Sequence, residues 1–320
     1  MRKLGCLVAA ILAALLAGSL LLGAMLGEAT VEEDTAFVIR TGSSLTSVAN
    51  QLEEQGLISS ADGFLLHAKL FGSGDPIQAG EFALTANMSQ ADILRAFQSG
   101  DVIRRFITIP EGMPSVLVHE RLMSEELLTG EIDVPAEGSV LPDTYDFERG
   151  ENRQAVLGRM QSAMTAYLTE AWAQRGDNIA VITPEEAVIL ASVVEKETGK
   201  PSERRMVAGL YSNRLKIGMR LQADPTIIYP ITKGRPLGRR IRRSEIDAVN
   251  DYNTYSMAGL PKGPITNPGR ESIAAALNPA KTSALFMVAD GSGGHAFAET
   301  NSEHEANVAK WRRFRSENGI

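Results

Sequence analysis

The first long pattern along this 320-residue chain is an absence of charge. From Leu4 to Gly27 runs LGCLVAAILAALLAGSLLLGAMLG, 24 residues that a helix rising about 1.5 Å per residue stretches across a bilayer core of about 30 Å. Arg2 and Lys3 precede it, whereas Glu28, Glu32, Glu33 and Asp34 follow. The positive-inside rule therefore predicts a cytoplasmic N-terminus (residues 1–3), a single transmembrane helix (4–27) and export of the remainder. The alternative is a cleaved signal peptide, whose apolar core usually runs only about 7 to 15 residues. Residues 28–35, EATVEEDT, read as an acidic linker.

Beyond the linker the hydrophobic period switches repeatedly between strand and helix. A strand at AFVIR leads through a Gly-Ser turn into a helix with Leu45, Val48, Ala49 and Leu52 at helical spacing, capped by Ser43 or Ser44. A second helix is predicted over 60–71, a strand over 80–85, a helix over 89–100 closed by Gly100, and a strand over 102–109. These make a small α+β subdomain over 36–110. Gly42, Val48 and Leu52 recur as Gly112, Val118 and Leu122, three identities in eleven positions and too few to establish a repeat.

From Glu151 the pattern is mainly helical. One long amphipathic helix covers ENRQAVLGRMQSAMTAYLTEAWAQR, and TPEEAVILASVVEKETG is the next. There Thr183 is the cap, Pro184 opens the first turn, Glu186 completes a capping box and Gly199 stands at the expected stop. Further helices are predicted over 203–216, ending at Gly218, from Asn267-Pro268 to Leu277, and over 302–315, with a strand over 284–289. The expected fold is α+β, with a transmembrane helix, the small subdomain, and a mainly helical domain with short strands over 111–320.

Composition narrows the function. A net charge of −7 argues against nucleic acid as the main partner, because such proteins carry a basic excess. The single cysteine, Cys6, lies in the apolar run, which excludes an intramolecular disulfide and cysteine-rich zinc sites. The four histidines, His67, His119, His295 and His304, lack H-E-x-x-H spacing, and no G-x-S-x-G elbow occurs, so neither a metal nor another cofactor is expected. GSGGHAF (291–297) follows a strand and leads into His295 and Phe297, which favours a turn over a phosphate cradle. KGRPLGRRIRR (233–243) carries six basic residues and reads as a solvated loop facing phospholipid or an anionic polymer.

The candidate chemistry lies at the end of ILASVVEKETG, where Glu195 and Glu197 stand two residues apart. At about 100° per residue, Glu197 falls inside the arc of Ala187, Leu190, Val193 and Val194, while Glu195 lies about 160° away around the helix. An acid in an apolar arc and in the last helical turn has its pKa raised by desolvation and by the helix dipole, which describes a proton donor at neutral pH. The alternative is a buried ion pair between Glu197 and Arg204, Arg205 or Arg214. Glu195 reads as a supporting or surface charge.

Six ordered segments resemble one family, the endolytic murein transglycosylases (MltG, YceG-like): IPEGM (109–113), LPDTYDF (141–147), LASVVEKET (190–198), NRLKIGMRLQADPTIIY (213–229), YNTYSMAGLPKGPITNPG (252–269) and FMVADGSGGHAF (286–297). The subdomain over 36–110 resembles the family's LysM-like unit. The resemblance implies a single-pass inner-membrane lyase with a periplasmic catalytic domain. Such an enzyme cuts nascent peptidoglycan strands between N-acetylmuramic acid and N-acetylglucosamine, leaves a 1,6-anhydro-N-acetylmuramic acid end and works beside peptidoglycan synthases. The family's catalytic acid matches Glu197. Asn213, Gln222, Asp224, Thr226, Tyr252, Asn253 and Tyr255 are polar groups in motif positions, suited to line the sugar cleft or orient Glu197; the alternative for Asp224 and Asn253 is to cap or turn the chain. A second class of function, a non-catalytic peptidoglycan-binding scaffold, stays open on the sequence. Lys262 departs from the family, where a second proline is commoner.

Overall fold

The computed structural model describes residues 11–19 and 31–319. Residues 11–19 are helical (α1); the rest of the apolar run expected to span a membrane lies outside the described residues. Among the described residues no helix is long and apolar enough to cross one. The chain divides into two units, Met1–Arg105 with Asp146–Gly150, and Phe106–Tyr145 with Glu151–Ile320.

In the first unit, β1 (Thr35–Ile39) pairs antiparallel with β2 (Gly80–Leu84), Phe37 opposite Phe82. Strand alternation turns Phe37, Ile39, Phe82 and Leu84 inward, where α2 (Leu45–Glu54), α3 (Ala61–Phe71) and α4 (Gln90–Ser99) cover them. Phe97 of α4 stacks on Phe37 at 5.6 Å between ring centroids and meets Phe82 edge-on at 4.8 Å. Of the two candidate caps for α2, Ser44 is the one used, accepting the Ser47 N–H. Ser89 and Asp92 form a full capping box on α4, and Gly100 closes it in the left-handed conformation.

The chain then runs along β3 (Arg104–Thr108), which pairs with β4 (Thr144–Glu148) in a two-stranded sheet. The second unit holds α5 (Ser115–Met123), the long α6 (Arg153–Ala173), α7 (Pro184–Glu197), α8 (Arg204–Lys216), α9 (Pro225–Thr232), the short α10 (Arg243–Ile246), α11 (Arg270–Leu277), the hairpin β5 (Phe286–Ala289) with β6 (His295–Ala298), and α12 (Asn301–Asn318). At its centre α7 buries Ala187, Leu190, Ala191, Val193 and Val194 against α8, α11 and α6. Small side chains set the spacing. A Cβ on Gly209 of α8, for instance, would lie 2.6 Å from the Ala280 carbonyl oxygen.

Three local expectations are corrected. Thr183 accepts the Glu186 N–H at 3.1 Å, but the Glu186 carboxylate reaches one residue further back, to the Ile182 N–H at 2.7 Å, so the capping box does not close. Gly199 is not a left-handed stop; Thr198 ends α7 in extended conformation, and its hydroxyl accepts the Lys200 N–H at 3.1 Å as the chain turns toward α8. α11 starts at Arg270 instead of Asn267 because the Asn267 side chain ties loops together. Its Nδ2 donates to the Met113 carbonyl at 2.9 Å, and its Oδ1 accepts the Val140 N–H at 3.1 Å. The GSGG segment is a turn as expected, with Gly291 and Gly293 at positive φ joining β5 to β6.

Candidate active site

The end of α7 separates the two glutamates as the helical wheel does, and the surroundings give each different partners. Glu195 has a structural role. Its Oε2 accepts the Gly269 N–H at 3.0 Å, and its Oε1 lies 3.8 Å from Arg204, which also holds Glu111 at 2.8 Å. With 6% of its side chain exposed, Glu195 is a supporting charge and not a surface one.

Glu197 faces a cavity of about 350 Å³, walled by the end of α7, by Leu210, Tyr211 and Arg214 of α8, by Gln222, Asp224 and Pro225 at the start of α9, by Tyr255, and by β5 and His295. Its Oε1 is buried and carries no hydrogen bond, while the buried Tyr211 hydroxyl donates to the carboxyl group. Desolvation and the nearby Asp224 charge push the Glu197 pKa up to about 7; the Tyr211 hydrogen bond and the positive charge of Arg214 pull the other way. The arginine pair envisaged as an alternative does not form. Arg204 goes to Glu111 and Glu195, and Arg205 donates to the Asn278 carbonyl at 2.9 Å. Arg214, 8% exposed, donates to the Leu285 and Leu221 carbonyls, each at 2.6 Å. That guanidinium is fixed near Glu197 without clasping it, so the acid keeps a proton to give.

The seven supporting candidates divide. Gln222, Asp224 and Tyr255 share the cavity with Glu197, and the Tyr255 hydroxyl donates to Asp224 Oδ1 at 2.6 Å. Gln222 takes a positive φ of 52° to get there. The other four lie outside the cavity wall. Asn213 holds the chain ahead of β5, donating to the Thr282 carbonyl at 2.8 Å. Thr226 and Thr254 bridge hydroxyl to hydroxyl at 2.8 Å, Tyr252 packs on Tyr229, and Asn253 ties the turn after α10 by donating to the Ala248 carbonyl at 2.6 Å. The turn-forming alternative thus holds for Asn253.

Two cavity residues have no clear signal in the sequence as members of the site, Tyr211 and His295, and Arg214 is one of the three arginines that the sequence offers as a partner of Glu197. Tyr211 and Arg214 stand three residues apart on α8 and so share a face, and His295 follows the glycine turn flagged by its composition. A second cavity of about 460 Å³ adjoins the first, sharing Lys196, Pro225 and Ile228. Half of the six basic residues in the loop are paired: Arg235 with Glu120, Arg239 with Glu245 and Arg243 with Asp247.

A half-buried carboxyl group with a pKa raised to about 7, set in a cleft walled by hydroxyl, amide and guanidinium groups, is chemically able to give a proton near neutrality. The family model of the YceG-like family matches residues 37–310, and the chain belongs to that family. It is 28% identical to the endolytic murein transglycosylase of Bacillus subtilis, over 95% of this chain and 92% of the relative. It is also 28% identical to the endolytic murein transglycosylase of Streptococcus pneumoniae, over 85% of this chain but 57% of that longer protein. A crystal structure of a YceG-like protein from Listeria monocytogenes shares the fold at a TM-score of 0.54 and 24% identity, over 86% of this chain and 98% of the other.

Proposed function

We propose that the chain is a peptidoglycan lytic transglycosylase, a lyase that cuts glycan strands internally with Glu197 as its catalytic acid. The observation that carries this reading is the state of Glu197: unclasped by any arginine, with an unbonded buried oxygen and a pKa of about 7, at the wall of an open polar cavity. The curated name of the two relatives, endolytic murein transglycosylase, supports the same reaction.

Ordinary glycosidases use two carboxyl groups, one to protonate the leaving oxygen and one to activate water or attack the sugar. In a lytic cleavage the muramic C6 hydroxyl attacks C1 of its own ring, and high effective molarity replaces the second carboxylate. Glu197 protonates the glycosidic oxygen; as a carboxylate it is then able to take up the hydroxyl proton. Tyr211 and Arg214 steady the carboxylate that forms, and Gln222, Asp224 and Tyr255 meet the sugar. The adjoining cavity lengthens the cleft for a strand running past the acid. On this reading the apolar run anchors the enzyme in the inner membrane with its catalytic domain periplasmic. The first unit is a LysM-like module, and peptidoglycan synthases are its partners on nascent strands.

A specific observation favours one second reading. Asp224 shares the cavity, so a hydrolase with two carboxyl groups would also fit. Mass spectrometry of the products from peptidoglycan separates these: anhydromuramic ends mark the lyase, reducing muramic ends the hydrolase, and no cleavage a scaffold that only binds. Glu197→Gln is expected to abolish cleavage while leaving the chain folded. Equal yields from the variant and the parent would sink the assignment.

A further inference from the structure

Besides the carboxyl groups of Glu197 and Asp224, the cavity wall holds an imidazole, His295. Its ring nitrogen Nδ1 lies 2.9 Å from Glu203 Oε2, and its backbone N–H donates to Glu203 Oε1 at 3.1 Å, so one carboxylate fixes both the residue and its ring. Glu203 is buried and is balanced by Lys200 at 3.3 Å. The turn before β6 makes room for it, since a Cβ on Gly294 would collide with both the Glu203 carboxylate and the Lys200 amine. Nδ1 faces a carboxylate and so carries a proton; whenever the ring is neutral its lone pair therefore resides on Nε2, which has no hydrogen-bond partner among the described residues. The side chain is 18% exposed in a wall of the cavity.

Of the other polar groups there, three are engaged elsewhere, and Lys196 and the Gln222 amide are not bases. Arg214 only donates, the Asp224 carboxylate receives the Tyr255 hydroxyl, and the Tyr211 hydroxyl is given to Glu197. The reaction moves two protons, one onto the leaving oxygen and one off the attacking hydroxyl, and the single-carboxyl scheme assigns both to Glu197.

We infer that His295, oriented by Glu203, is a second catalytic residue that accepts the proton of the attacking C6 hydroxyl. The step balances: the C1–O glycosidic bond breaks as Glu197 gives its proton to the departing oxygen, the C6 oxygen bonds to C1, and the C6 hydroxyl proton passes to Nε2. The cycle closes when the imidazolium returns that proton to Glu197 through solvent. Glu203 is a positioning residue, acting through the ring. The inference rests on the glycan-cleaving reading above.

The test uses the full chain in detergent with peptidoglycan strands as substrate, comparing the parent with Glu197→Gln, His295→Ala, His295→Gln and Glu203→Gln. His295→Ala is expected to lower kcat by about 100-fold with little change in KM, in line with loss of a general base. Added imidazole should restore at least part of that loss. His295→Gln keeps the bulk without a basic nitrogen and should show the same loss without rescue; it carries the kcat comparison if the alanine variant fails to fold. Glu203→Gln should lower kcat less than either. A kcat close to the parent's in the His295 variants, a loss confined to KM, or a folded alanine variant that imidazole does not rescue would overturn the inference. If Glu197→Gln is inactive in the same assay, that outcome leaves the glycan-cleaving reading standing; if Glu197→Gln is fully active, the earlier reading fails by itself.

Discussion

The chemistry at Glu197 depends on the balance of four groups, and that balance is testable residue by residue. Burial and Asp224 raise its pKa, Tyr211 and Arg214 lower it, and the result is about 7. A catalytic acid must be protonated, so kcat/KM is expected to fall as pH rises through about 7. Asp224→Asn removes the like charge and should move that alkaline limb to lower pH; a limb that stays put or moves up would show that Asp224 does not govern it. The same shift has a stability cost. Between the ordinary value of 4.5 and about 7 the folded chain binds more protons at this site than the unfolded chain, so the stability it contributes is whole below about 4.5 and is lost as pH rises through 7. Glu197→Gln should therefore melt several degrees above the parent at pH 8, with the gap closing near pH 4.5, as followed by scanning calorimetry. The buried position of Glu197 was legible in the sequence because helical periodicity places it in the apolar arc; its role as the catalytic acid was implied by the family resemblance. Arg214 was legible only as one of three possible ion-pair partners, and Tyr211 and His295 were not legible as companions, since they reach the cavity from α8 and β6 and no short-range period records which distant segments converge.

At the scale of elements, local rules worked where the stabilising partner is close in sequence. Most helices were readable from caps and apolar stripes, though α5, α9 and α10 were not; Ser44, Ser60, Ser89 and Thr183 all cap as their side chains allow. Thr183→Ala should cost about 1 kcal/mol of stability in urea unfolding, because α7 loses a cap, and should leave kcat unchanged, because the lost bond is at the far end from Glu197. Strands β4 and β6 were not read from the sequence, and α9 holds Pro225 at its start and Pro230 inside, which hides a helix from propensity. The echo between residues 42–52 and 112–122 gains content from the structure. Gly42 and Gly112 both take positive φ, a helix starts three residues after each, and Val48, Leu52, Val118 and Leu122 are all fully buried. Three identities too few to prove a repeat thus mark the same strand–glycine turn–helix device used once in each unit.

For the whole molecule, the consequence is that the candidate site belongs to one unit while the other is discontinuous in sequence. Every residue of the Glu197 cavity lies in the second unit, yet Asp146–Gly150, inserted in its sequence, belongs to the first. Within that first unit the buried Glu81 binds Arg105 and, at 3.1 Å, Arg149 of the returning segment, and its carboxyl is held below the ordinary range by the two guanidinium groups despite burial. A cut placed at 110/111, where the sequence suggests a boundary, would remove Glu81 and Arg105 and leave Arg149 without its carboxylate. The 111–320 fragment is therefore expected to be cleaved by a protease at 146–150 much faster than a chain beginning at residue 28, even where the Glu197 cavity stays folded. Glu81→Gln in the longer chain should raise cleavage in that same segment, because the neutral amide cannot hold both arginines. Equal protease resistance of the two lengths would mean that Asp146–Gly150 draws its order from the second unit, and that catalytic fragments can be made by cutting at the sequence boundary.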